Sequence, residues 1–519
     1  MGEQGSQTSG HDPHRAGTDQ VWEDISRVLV ERGPAFLASR RWFGDKARRI
    51  VAIDPLDHVT VAAGLDLFMP VIAGVRFADG DNERYFVPLV ITEAPVADHV
   101  SLGQVTVDGR PCQVAEAIAV ESFRGWLLDL LVLPDPLTMR HGTLTFTPTS
   151  VLDAYISAAR TGPSRVVTGE QSNSSIVYGD AAILKAFRKL QRGTNPDIEI
   201  GRYLTDDTGF SHAPPLLGAI EYTADGGDLT SIAVLQLFVP SRGDAWTSLL
   251  NDLRHLLATV GPERDEMMLR LEGEAALLGR RTGELHVALA GAPSGHAMAP
   301  ETITVEDAGA WASTLTRETS MFWSDQGIVT TSAADDPANQ RPDPALTAAA
   351  SGYADLVGFA KTRVHGDYHL GQILHTLTGD VMILDFEGEP SRPVEERRRK
   401  TSPLKDVAGM LRSFTYARVA ILRASATRPG PDAGAESTLG TWEAASRRAF
   451  LTAYRTATQS SPVPLYPNGQ SAFDRALRAW EVEKAIYEVR YERNNRPDWL
   501  PHVLATIDRL TVADGPPED

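Results

Sequence analysis

Val364-His365-Gly366-Asp367-Tyr368-His369-Leu370-Gly371-Gln372, followed after a short spacer by Val381-Met382-Ile383-Leu384-Asp385-Phe386-Glu387-Gly388-Glu389-Pro390, is the stretch that decides how this chain reads. Two acidic positions, Asp367 and Asp385, stand one short hairpin apart. Such a pair suits chemistry in which one carboxylate orients a hydroxyl and takes its proton while separate oxygen ligands hold a divalent cation. The plainer reading is that His365 and Asp367 cap a turn and Asp385 ends a strand; two matching halves at this separation favour the chemical one.

Upstream, Ser174 to Tyr178 and Ala182 to Phe187 flank the Gly179-Asp180 turn and predict a β-hairpin. Asn195-Pro196-Asp197 then gives a helix start, with Asn as cap and Pro at the first helical position. Leu216 to Tyr222 and Ile232 to Val239 add two strands around the Asp225-Gly226-Gly227-Asp228 turn. Nearer the N-terminus, Trp22, Ile25, Val28, Leu29 and Leu37 recur at helical spacing up to Arg40-Arg41-Trp42-Phe43-Gly44. Short apolar runs at Val59 to Ala62, Leu67 to Val75 and Tyr85 to Thr92 follow and predict a small antiparallel sheet. Beyond Pro240 long amphipathic helices take over, as at Glu272 to Ala288 and Ala472 to Tyr491, with polar loops around Ser332 to Pro344 and Thr427 to Ser437. The organisation read from this is α+β: a disordered tail over 1–20, an N-terminal cap over 21–155, a small β-rich lobe over 156–240 and a large, mainly helical lobe over 241–519.

Composition agrees with a globular chain of several units. It has 519 residues, 42% hydrophobic and 23% charged, and no apolar run approaches the ~20 residues needed to cross a bilayer. With 68 acidic against 50 basic residues the formal charge is −18, which disfavours nonspecific binding to nucleic acid or to an anionic membrane. Cys112 stands alone, so no intrachain disulfide or thiolate cluster forms and a reducing cytoplasm is the expected setting. The first residues, Gly2 to Gln20, are polar and lack an apolar core, so no signal peptide is expected there.

The spacing around Asp367 follows that of protein kinases, where a loop Asp is followed five positions later by a metal-binding Asn and then by the Asp of an Asp-Phe-Gly turn. Here Gln372 stands at the fifth position, and Asp385-Phe386-Glu387-Gly388 resembles that turn with one residue inserted. A kinase also needs a phosphate-gripping lysine and a helix carboxylate to fix it; Lys185 in Ile183-Leu184-Lys185-Ala186-Phe187 and Glu199 at the helix start are the candidates. Taken singly, these would be an edge-strand lysine and a first-turn dipole partner. Before them lies the polar run Ser172-Asn173-Ser174-Ser175, whose short side chains and backbone N–H groups suit phosphate oxygens, although no Gly-x-Gly-x-x-Gly is present.

With these residues the chain resembles the aminoglycoside phosphotransferase-like kinases, and within them the maltokinases, in which His-Gly-Asp-x-His-Leu-Gly-Gln and Asp-Phe-Glu-Gly-Glu-Pro recur. The resemblance runs from Trp42-Phe43-Gly44-Asp45-Lys46 to Trp499. It departs at Tyr368, where Leu is commoner, and at Asp45, where Gly is. It implies a bilobal protein-kinase-like fold, ATP and Mg²⁺ as cofactors, Asp367 as catalytic residue, and Gln372 and Asp385 as metal ligands. It further implies that Ser172, Asn173, Ser174, Ser175, Lys185 and Glu199 face the nucleotide, and that Gln236, Phe238 and Val239, in the hinge-like Val234 to Pro240, lie by the adenine. The reaction implied is phosphorylation of maltose to maltose 1-phosphate, feeding α-glucan or glycogen synthesis, with glucosamine or an aminoglycoside as alternative acceptors. The chain looks especially similar to the maltokinases that occur joined to a trehalose synthase; no barrel of that enzyme is read here, so such a synthase would be a separate partner chain.

The acceptor surface is expected on the C-terminal helix. Trp480, Lys484, Tyr487 and Tyr491 share one face, and an aromatic stripe at that spacing is more often core. A lysine in its middle, flanked by Glu481 and Glu488, argues for sugar, which stacks its CH faces on aromatics and pairs its hydroxyls with charges. Arg493, in a segment resembling the maltokinase C-terminus, and His369, two residues from Asp367, complete the expected substrate set. Downstream of the acidic turn, Asp406 reads as structural support, and the run Glu395-Glu396-Arg397-Arg398-Arg399-Lys400 as an exposed charged segment.

Overall fold

The computed structural model describes residues 13–133, 135–169, 172–325, 344–426 and 433–512. The chain divides into two compact units, the first ending at Asp206 and taking back Pro215–Phe238, the second holding Asp207–Pro214 and Val239 onward.

In the first unit the predicted hairpin forms, with strands Asn173–Tyr178 and Ala182–Phe187 joined at Gly179, whose φ of +54° is a conformation open to glycine. It sits within a seven-stranded antiparallel sheet that also contains Leu216–Ala224 and Leu229–Leu237. Along Ala182–Phe187 side chains alternate between faces. Leu184 and Ala186 are buried in a core shared with Phe123, Leu127 and Leu130 of helix Glu121–Leu130 and with Leu152 and Ile156 of helix Leu152–Thr161, which leaves Lys185 on the opposite face. The register sets Ser175 and Val234 beside Lys185 on its two neighbouring strands.

The expected cap is part of this same unit. Strand Gly142–Pro148, read as the end of the cap, pairs with Leu216–Ala224, while Lys189–Leu190, read as small lobe, pairs with Asn82–Phe86. The expected boundary at 155/156 therefore runs through interleaved sheets. A buried ion pair fastens the two parts: the Arg188 guanidinium, 1% exposed, donates to the Glu116 carboxylate, and Trp42 Nε1 donates to the same Glu116 oxygen over 2.9 Å. The Trp42 ring also lies 4.4 Å from the guanidinium carbon. Helix Pro13–Ser39 buries Ile25, Leu29 and Leu37 against Ile53, Val71 and Leu102. Its first residues replace the end of the tail expected over 1–20; the remainder of that tail lies outside the described residues.

The second unit is mainly helical. Helices Pro262–Leu289 and Ala433–Ala457 run so close that a Cβ on Gly279 would lie 2.1 Å from Phe450 O and one on Gly283 would lie 2.7 Å from Ala457 Cβ. A three-stranded sheet, with Ile373–Thr376 between Ser241–Asp244 and Val381–Ile383, carries the chain from the Asp367 loop to the Asp385 turn. Most of the loop expected at Ser332 to Pro344 and the first part of that at Thr427 to Ser437 lie outside the described residues; from Ala433 the latter is helical. The charged run at 395–400 is exposed only in part, because Arg397 donates to Glu387 O over 2.7 Å and Lys400 Nζ lies 2.6 Å from Glu301 Oε1.

Candidate active site

The loop around Asp367 is built from its backbone outward. Asp406, buried near the start of helix Leu404–Ala426, accepts hydrogen bonds from His365 N (2.7 Å) and Gly366 N (2.9 Å). Its second support is His286 Nε2 at 3.1 Å, and Tyr454 OH lies 3.0 Å from His286 Nδ1. Burial alone would raise the Asp406 pKa, but the bonds from His286 and the Gly366 N–H outweigh it and hold the group below the usual carboxylate range. The same helix touches the loop twice more: Leu370 N donates to Ser413 Oγ, and a Cβ on Gly409 would lie 2.6 Å from Tyr368 O. Tyr368 is buried with its hydroxyl 2.9 Å from Thr282 Oγ1.

The acidic turn is tied to this loop by His365. Its Nε2 lies 2.7 Å from Leu384 O, and since a carbonyl only accepts, the proton sits on Nε2. Its Nδ1 then accepts from Asp367 N. At Gly366, with φ +85°, a Cβ would come within 3.2 Å of the Gly388 Cα, so glycine backbones meet where loop and turn cross. Asp385 has a φ of +65°, an uncommon conformation for a side-chain-bearing residue that Asp tolerates better than most. Gln372 Nε2 donates to its Oδ2 over 3.1 Å, and the Glu387 carboxylate reaches within 4.8 Å of that of Asp385. Two carboxylates and one amide oxygen form a hard-oxygen set suited to Mg²⁺, with the Gln372 amide turned to present oxygen instead of nitrogen. Glu387 is absent from the residues expected from sequence; its position two residues after Asp385 is the signal that could have found it.

Of the residues expected to meet the acceptor, the structure brings Lys484, Tyr487 and His369 to Asp367. Lys484 Nζ lies 3.0 Å from Asp367 Oδ1 and 3.0 Å from Glu389 Oε1, and 4.6 Å from the centre of the Tyr487 ring. Burial disfavours the Lys484 charge, yet Asp367 and Glu389 more than offset it and hold the pKa well above that of free lysine. Burial likewise raises the Glu389 pKa, and Lys484, Lys405 and Arg392 overturn this and bring it to about 2. His369 Nδ1 accepts from Gly371 N, leaving Nε2 4.0 Å from Asp367 Oδ2. Trp480 does not join them: it is 3% exposed and packs against Tyr353 and Trp311, so the expected aromatic stripe divides into a core end and a site end. Arg493 is exposed on helix Gln470–Asn495.

Among the nucleotide residues expected from sequence, Lys185 lies on strand Ala182–Phe187. Lys185 Nζ lies 3.6 Å from Asp197 Oδ2, a carboxylate two residues before the half-buried Glu199 chosen from sequence. Gln236 Nε2 reaches Asp197 Oδ1 at 3.4 Å, so Gln236 holds the lysine's partner. Helix Pro196–Asp206 begins as predicted, with Asn195 Oδ1 accepting from Asp197 N over 2.9 Å. Ser174 and Ser175 are buried strand residues, and Ser174 Oγ accepts from Arg188 Nε, leaving the half-buried Asn173 and exposed Ser172 at the strand entrance. Phe238 N donates to Ala181 O, and Phe238 and Val239 are half-buried.

The fold defined by these units is kinase-like. The chain superposes on a solved glucosamine kinase in complex with glucosamine, ADP and inorganic phosphate with a TM-score of 0.62, at 22% identity, over 93% of this chain and 98% of that one. In sequence it is similar to a glucosamine kinase of Streptacidiphilus jiangxiensis, 28% identical over 379 residues, covering 71% of this chain and 77% of the relative. A glucosamine kinase of Mycolicibacterium smegmatis is 27% identical over 369 residues, covering 70% and 82%. No protein-family model matches the sequence. Among the described residues no helix is long and apolar enough to cross a membrane.

Proposed function

We propose that this protein is an ATP-dependent sugar kinase that phosphorylates maltose to maltose 1-phosphate. The observation that carries the phosphoryl-transfer reading is Asp367, fixed through its loop backbone by Asp406 and left with Oδ2 free of the Lys484 contact to take the acceptor's proton. The ammonium of Lys484 holds the other oxygen and so sets the carboxylate's orientation.

Asp385, Glu387 and Gln372 would hold Mg²⁺, which when bound would neutralise phosphate charge. Lys185, oriented by Asp197, would pair with phosphate oxygens, and Ser172 and Asn173 offer donors at the strand entrance. The kinase relatives and the likeness of fold support the class of reaction. The choice of maltose rests on the maltokinase-like segment from Glu492 to Trp499, and a separate trehalose synthase in the same cytoplasm would be a natural source of that sugar. Glucosamine is the second reading, favoured by the names of the two relatives.

The test is ADP release from Mg-ATP in the presence of maltose, glucose, glucosamine, trehalose or kanamycin, with loss of reducing-sugar reactivity marking phosphate on the anomeric oxygen. Maltose should give the fastest release. Release with glucosamine and none with maltose would transfer the proposal to the second reading.

A further inference from the structure

Lys484 has more consequence than holding Asp367. Its ammonium carries three N–H donors, two of which are on Asp367 Oδ1 and Glu389 Oε1. The other oxygen of Glu389 accepts from Arg392 Nε over 2.6 Å. Behind this, Glu483 Oε1 lies 3.2 Å from both Arg392 and Lys405, so that carboxylate is engaged as well. Asp367 Oδ2 is then the oxygen left for the acceptor, and it is needed for the proton. Recognition of a sugar ammonium calls for carboxylate charge to spare; here Asp367, Glu389 and Glu483 already face the three cations Lys484, Arg392 and Lys405.

We infer that Lys484 is a specificity-determining residue that reserves the acceptor side of Asp367 for an uncharged sugar and turns away an amino sugar. The inference rests on the sugar-kinase reading above. A sugar hydroxyl accepts the third Lys484 N–H through its lone pairs, whereas a protonated amine has no lone pair and meets a like charge. With Lys484 only 14% exposed on its side chain, solvent screens that repulsion poorly. The Tyr487 ring lies 4.6 Å from Nζ, and an aromatic ring is the kind of surface on which sugar CH groups stack.

The experiment compares glucose with glucosamine, which differ by one hydroxyl exchanged for an amine, and N-acetylglucosamine as the uncharged nitrogen control, with maltose as reference. For the wild type, kcat/KM for glucosamine should lie about 10- to 100-fold below that for glucose at neutral pH, which is about 1.4–2.8 kcal/mol. The gap should narrow as the amine loses its proton at higher pH. Lys484→Gln should remove most of it and Lys484→Arg should keep it. If maltose alone is turned over, the same ratio is read from inhibition of maltose phosphorylation by each monosaccharide. Glucosamine used or bound as well as glucose by the wild type would overturn the inference and leave the kinase reading in place. No ADP with any sugar would remove both.

Discussion

Arg188 in the first unit and Lys484 in the second are both buried cations held by carboxylates, yet the two arrangements serve opposite ends. Arg188 is 1% exposed and is surrounded by Glu116, Ser174 and the Trp42 face, a closed set that joins the sheets of its unit. Lys484 bridges Glu389, which is sealed, and Asp367, whose side chain keeps 19% of its surface. A closed pair fixes structure; a pair with one open partner leaves a carboxylate oxygen for chemistry. Removing one partner of the first should therefore cost stability, and removing the open partner of the second should cost turnover.

The largest expected effect is on the open side. Asp367→Asn should lower kcat by about 10²–10⁴-fold while leaving the urea unfolding midpoint nearly unchanged, since Lys484 retains Glu389. Near-normal turnover would remove Asp367 from the proton role. Next, Glu116→Ala strands the Arg188 guanidinium in the interior and should destabilise the protein by about 3–5 kcal/mol in equilibrium denaturation. A loss under about 1 kcal/mol would mean that water reaches Arg188, and the contrast with Lys484 would fail.

Gly409→Ala sits between the two cases. Its added methyl group meets Tyr368 O, a backbone atom that cannot move without shifting the Asp367 loop, so it should cost about 1–3 kcal/mol and lower kcat together. A stability loss with kcat unchanged would show that the helix and the loop move independently. The smallest effect is confined to acid. Glu389 has a folded-state pKa of about 2 against an ordinary value of 4.5, so it adds stability that is present above about 4.5 and lost as pH falls toward 2. Glu389→Gln should flatten the acid limb of the wild-type stability profile in that window; an unchanged slope would mean that Glu389 is not held ionised by Lys484 and Arg392.

Local signals carried much of this architecture. The hairpin around Gly179, the Asn195 cap and the C-terminal helix all depend on neighbours within a few residues, and each forms where its spacing predicts. What sequence did not show was long-range pairing. Arg188 meets Glu116 from far along the chain, and strand Gly142–Pro148 joins Leu216–Ala224, so no composition shift marks where cap and lobe divide. Spacing also leaves similar residues at one place unresolved. Asp197 and Glu199 are both acidic at one helix start, and the approach of Lys185 and Gln236 to Asp197 is a contact that spacing did not mark. Trp480 and Tyr487 share a helical face by spacing, but Trp311 and Tyr353 cover only the former. Glu389 gave no signal as a partner of Lys484, because that pairing exists only once the C-terminal helix folds back beside the acidic turn.

Asp406 grips the Asp367 loop through the N–H groups of His365 and Gly366, and those groups are the same whatever side chains the loop bears. An anchor of this kind is blind to side-chain identity. An inward side chain of the loop can then take its own partner, as Tyr368 does with Thr282, without disturbing that grip. Lys484 reaches Asp367 from another helix, so a change there acts on the orientation of the carboxylate and leaves the backbone anchorage in place.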